Sequence, residues 1–257
     1  MKKTLIALAV AASAAVSGSA MAWTANGTGG SIDLGGTLTP VEKVTPWEAK
    51  VGDAVTGLDA LVQKGQKVVG IYVNKAIPVL GIRTQTAEAF QGQPGISPQI
   101  DFGNAVNVDA FKNGRAPVTL EVKDAGNEKI GTLTTSMGAS ALISYKAKTY
   151  NGYNHRYAES AGQAFFGGLP KNKSNTPDVN IAVDVFPDVN ANFTYQNAGY
   201  KGVDASIDFT NTQATYSAYY GAGIEQGKTI NITLDQPASG DAPIQWKASL
   251  PVIVTYM

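Results

Sequence analysis

Between Trp246 and Met257 apolar side chains recur at every second position: Trp246, Ala248, Leu250, Val252, Val254 and Tyr256. Successive side chains of an extended chain point to opposite faces, so these six line one face of a strand. A helix would scatter them around its circumference, and the period of two commits this end of the chain to a β-sheet. So apolar a strand cannot leave its backbone unpaired in water without inviting association with another chain. What covers it is the question on which function turns.

The rest of the chain reads the same way. It is rich in Gly, Thr, Val, Ala and Asn, with short apolar runs broken by turn residues, the punctuation of an all-β domain. Residues 66–83 read as one or two strands, with Pro78 at an edge or bend. Val118, Leu120 and Val122 alternate in 117–124, and turn residues Asp124 to Asn127 join them to a second run, Ile130 to Met137, as a hairpin. A further strand alternates Ile230, Ile232 and Leu234 before Pro237 to Asp241 and the final strand. Strands at this spacing predict a sandwich. Helical signal is confined to Tyr157–Phe166, where Ala158, Ala161, Ala164 and Phe165 precede the stop Gly167-Gly168. Residues 170–180 read as an exposed loop, and 146–202 as an insertion decorating the sandwich. There is no internal repeat.

At the other end, Lys2 and Lys3 precede an apolar stretch from Leu5 to Val16 and the small-residue run closing on Ala20-Met21-Ala22. That pattern predicts a secretory signal peptide over residues 1–22 and a mature chain from Trp23. No later segment approaches the roughly 20 apolar residues of a membrane helix. Basic and acidic residues balance at 20 each, and loss of Lys2 and Lys3 leaves a slight acidic excess. A nucleic-acid partner is not expected, because it calls for a strongly basic face. The chain has no cysteine, so stability must come from packing and backbone pairing, and thiolate metal sites are excluded. No cofactor is expected.

After the predicted cleavage site, residues 23–40 are poor in bulky side chains yet alternate through Gly30, Ile32, Leu34, Gly36 and Leu38. This leader has the pattern of a strand and little capacity to fold locally. With an apolar strand at the opposite end, it suggests a domain that donates its leader to a neighbour's sheet edge.

These residues carry a resemblance. MKKTLIALA, GSIDLGGTLT, KVG at 50–52, FFGGL at 165–169 and PIQWKASLPVIVTYM make the chain similar to subunits of chaperone–usher fimbriae of the K-eighty-eight (F-four) type. The resemblance implies an incomplete immunoglobulin-like sandwich over 41–257, lacking its last strand. A periplasmic chaperone completes it first, and the leader of the next subunit replaces the chaperone after passage through an outer-membrane usher. It implies Ile32, Leu34, Gly36 and Leu38 as the donor strand, and Leu250, Val252, Val254, Tyr256 and Met257 as the chaperone-binding strand. It also implies export through the periplasm to a surface fimbria, which contributes to adhesion. The cysteine pair of ordinary pilins is missing, and so is the glycine common near their ends, where Pro243, Ile244 and Gln245 stand. Both absences fit the K-eighty-eight group.

Two other classes compete. An enzyme built on a Ser-His-Asp arrangement would depend on His155, the single histidine, in a loop of Tyr and Asn. A secreted lectin, the alternative reading, would use Tyr150, Tyr153, His155 and Tyr157 beside Asn151 and Asn154, since aromatic faces next to amides suit a glycan. The same four residues are the candidate receptor-binding site of a fimbrial subunit; on the bland reading they fill the core.

Overall fold

The computed structural model describes residues 34–39, 44–204 and 207–257. The predicted signal peptide and Ile32 of the leader lie outside the described residues. One compact unit runs from Val44 to Met257, and it is an all-β immunoglobulin-like fold with one small helix.

Alternation builds the strands. β1 (Trp47–Val51) pairs antiparallel with β3 (Ile77–Thr84), and the sheet continues through β10 (Thr215–Ile224), β7 (Lys129–Lys146) and β11 (Thr229–Leu234) to β2 (Val68–Tyr72). β4 (Phe90–Gln91) and β5 (Pro98–Asp101) are short. β6 (Arg115–Lys123) and β7 (Lys129–Lys146) form the expected hairpin. Its turn is closed by the Asp124 carboxylate, which accepts from the Glu128 N–H at 2.9 Å, and by Asn127 at φ 69°.

β7 is the spine. Along one edge its first half pairs with β11 (Thr229–Leu234) and its second half with β10 (Thr215–Ile224). Along the other edge it pairs with β6 and then with β8 (Asn151–Arg156). Among the described residues β9 (Tyr200–Asp204) pairs only with β8, and in parallel. The predicted insertion 146–202 thus contributes two strands to the main sheet. β12 (Ile253–Tyr256) pairs with β5 in a separate two-stranded sheet.

The helix is displaced from its expected place. Residues 157–166 form turns, with Phe165 in the left-handed region at φ 61°, while α1 occupies Ile181–Val185. Burial of Ala158, Ala164 and Phe165 in the main core uses the apolar spacing without a helix. α1 instead lies on a floor of glycines. A Cβ on Gly221 would meet Ala182 at 2.7–2.9 Å, one on Gly223 would meet Val185 at 2.9 Å, and one on Gly81 would meet the Phe186 ring at 2.8 Å.

Three apolar clusters result. The largest holds Leu80, Ile82, Ile96, Met137, Ile143 and Phe165, with Trp47 donating its indole N–H to the Ile96 carbonyl at 2.6 Å. A third cluster gathers α1, Leu142 and Tyr219. The second, made of Ile71, Val73, Val122, Leu133, Ile224, Ile230, Ile232 and Leu234, opens to the surface.

Candidate functional site

The second cluster is the floor of a groove of about 1130 Å³. One wall is the segment 51–62, in which Leu58 and Val62 pack against the cluster while Val55 and Leu61 are exposed. The other wall is 243–252, where Trp246, Ala248, Leu250 and Val252 face inward.

Both walls are largely unpaired. Among the described residues, 53–62 make no backbone–backbone hydrogen bond, although the ends are tied by Gly52 N–H to the Val79 carbonyl (3.0 Å) and Gly65 N–H to the Ala238 carbonyl (2.8 Å). Residues 242–252 make only the reciprocal bonds between Lys123 and Lys247, both 2.9 Å. Backbone groups facing an apolar floor need partners, so this groove has the chemistry of a slot for an extended chain. Sequence reasoning found one wall from its alternation. It missed the other, because residues 51–62 have no strand pattern.

The C-terminal alternation is present: every even-numbered residue from Trp246 to Tyr256 is half-buried and every odd-numbered one exposed. The even-numbered side chains face the chain's own core. Trp246 and Ala248 pack on the groove floor, and Leu250, Val252, Val254 and Tyr256 on the main cluster. Met257 exchanges backbone hydrogen bonds with Ser97, 2.9 and 3.1 Å. In the leader, Leu34 and Leu38 are 92% and 96% exposed and Gly36 has open space around it.

The four candidate receptor residues do not converge. Tyr153 and His155 lie on one face of β8, where Tyr153 meets the rings of Tyr195 (4.8 Å) and Tyr200 (5.2 Å). His155 is buried, not a surface contact. Burial holds its pKa below the ordinary histidine value against the pull of Asp178 and a hydrogen bond to the Ala141 backbone. Tyr157 is half-buried at the end of the strand. Tyr150 alone borders a cavity, a cleft of about 410 Å³ shared with Tyr145, Arg156, Gln163, Asp208 and Tyr216.

Pleating explains the split, because Arg156 follows His155 and faces the other way. The Arg156 guanidinium lies over the Tyr145 ring at 5.3 Å and 3.8 Å from the Asp204 carboxylate. Burial lowers its pKa, opposed by Asp204 and the tyrosines, and burial pushes the Tyr216 hydroxyl up to about 12. Tyr150 accepts from the Asn211 amide at 2.9 Å. The cleft thus offers aromatic faces, a fixed cation and carboxylates. Tyr145 and Tyr216 meet as a cross-strand pair, a contact between distant segments that no local pattern reveals.

The fold is all-β and immunoglobulin-like, and its groove has the chemistry of a slot for an extended chain. All of residues 1–257 match the family model described as fimbrial, major and minor subunit, and the chain belongs to that family. It is 32% identical to K88 fimbrial protein AD and 31% identical to K88 fimbrial protein AC, both from Escherichia coli and both covered over 100% of each chain. F41 fimbrial protein of the same organism is 29% identical over the same extent. The chain is therefore a structural fimbrial subunit that associates with other subunits in a surface fimbria.

Proposed function

We propose that the subunit polymerises by donor-strand complementation along the chaperone–usher route. Each groove receives the leader of a neighbouring copy after a periplasmic chaperone has held it and an outer-membrane usher has presented it. The observation that carries this reading is the groove itself, whose apolar floor lies between two backbone walls with few hydrogen-bond partners among the described residues. An inserted strand gains backbone bonds on both sides, each contributing about 0.5–1.5 kcal/mol. Ile32, Leu34 and Leu38 share one face of the leader, and full burial stabilises the joint by about 1.5–3 kcal/mol each, as an upper bound. Gly36 brings the backbone close to the floor where space is least.

The chaperone meets the same slot, pairing along 243–252 and covering Leu250 and Val252 at the rim. Val254 and Tyr256 act from within by fixing the strand on the core, and the Met257 carboxylate is the end that basic chaperone side chains hold. The test is a synthetic peptide of residues 28–40 added to the mature subunit. It should bind and enhance or shift Trp246 fluorescence, whereas the Leu34→Asp peptide, which would bury an unpaired charge at a cost of several kcal/mol, should not. Equal binding of both peptides would rule out the alternation as the recognition element.

Adhesion has its own place on the molecule. The cleft beneath Tyr150 suits a neutral saccharide: tyrosine rings to stack on, with Arg156 to donate to hydroxyls and Asp208 to accept from them. Weak single-site affinity is multiplied by the many copies in a fibre. On a glycan array, Asp208→Asn should lose binding shown by the wild-type subunit, and Tyr153→Ala should retain it. The opposite pattern would return the site to the Tyr153 face.

A further inference from the structure

We infer that β9 is an acid-released latch: protonation of His155 detaches this edge strand from β8 and moves the Asp204 wall of the cleft. The inference does not depend on how the subunit polymerises. β9 is held through three registered pairs with β8, Tyr153 with Tyr200, His155 with Val203 and Arg156 with Asp204, and the register slips between the first two. Among the described residues β9 has no second strand partner, and outer elements with one neighbour open most readily.

His155 sits at the centre of this pairing and is 6% exposed. Its Nδ1 is buried without a hydrogen-bond partner. A proton arriving at Nδ1 would place an N–H⁺ where no acceptor waits. The groups around the ring are the Tyr200 ring of β9, edge-on at 6.0 Å, Tyr153 on its own strand, the backbone of β7 and Asp178 from the loop before α1. Asp178 and the Ala141 backbone favour the cation, and burial outweighs them. Arg156 and the cleft carboxylates lie across the strand.

The sign follows from the lowered pKa. The folded edge prefers neutral His155, so its stability is intact above the unfolded histidine value near 6.5 and is lost as pH falls from there through the folded value. Opening lets the imidazole ionise in water, so acid populates the open form. Asp204 belongs to β9 and borders the cleft, so release changes the shape of that cavity.

The chain holds one histidine, which makes the test direct. In the full mature subunit, hydrogen exchange corrected for intrinsic rates should show β9 amides losing protection between about pH 7.5 and about pH 5. The histidine ring resonance should titrate over the same interval, and β9 of His155→Gln should keep equal protection at both values. Unchanged protection in the wild type, or a Gln variant that loses protection as the wild type does, would overturn the latch. If the variant does not fold, the wild type still decides: opening whose midpoint departs from the histidine titration would assign the effect to carboxylates and overturn it equally.

Discussion

Glycines decide where the helix sits. Gly221 lies in the middle of β10 with Ala182 of α1 directly above it, so any side chain there meets helix backbone at under 3 Å. Replacing Gly221 with Val suits strand propensity yet forces α1 off its seat, at a cost of about 1–3 kcal/mol for overpacking. We expect a fall in denaturation midpoint of that size without loss of the β spectrum, measured by chemical unfolding followed by circular dichroism. A Gly221→Val subunit as stable as the wild type would mean that α1 is not held by this contact. The sequence contains the glycines but not the reason for them, because Ala182 and Gly221 are brought together only by the fold. The same limit applied to the cleft. Tyr150 and Arg156 stand in one run of Tyr and Asn, while Asp208 and Tyr216 come from separate segments, and His155 is buried although a polar residue among tyrosines gives no sign of it.

At the scale of elements, period-two patterns transferred well and weak patterns did not. Ile230, Ile232 and Leu234 alternate in sequence and are buried in β11, and the hairpin of β6 and β7 forms where its turn residues stand. Residues 157–166 carry the small apolar spacing of a helix, but Ala158, Ala164 and Phe165 satisfy it by filling the core from turns. Five-residue α1 is too short for a periodic signal, since helices of this length are stabilised by packing and not by propensity. The C-terminal strand shows a subtler gap. Its alternation correctly gave the buried face, yet the open side is the backbone edge and the adjoining groove, which side-chain patterns do not report. Exposed Val51, Val55 and Leu61 line that groove and would gain cover from the proposed inserted strand.

At the scale of the fibre, the proposed donation of a leader from one copy to the groove of the next dictates a polarity. If, as proposed, every junction uses one leader and one groove, a linear fibre ends with one free leader and one free groove, a heterologous contact that does not close. A Leu34→Asp subunit keeps an intact groove but has a leader that cannot fill another, because the buried carboxylate has no partner. It can therefore join only by receiving a wild-type leader, and nothing can be linked through its own. When wild-type subunits are co-expressed with a tagged Leu34→Asp form, each fibre should carry the tag at a single position, at the end with the free leader. Immunogold labelling reads this directly. Tags distributed along the shaft would show that Leu34 does not enter the groove, and the donor strand would then have to be sought elsewhere in the chain.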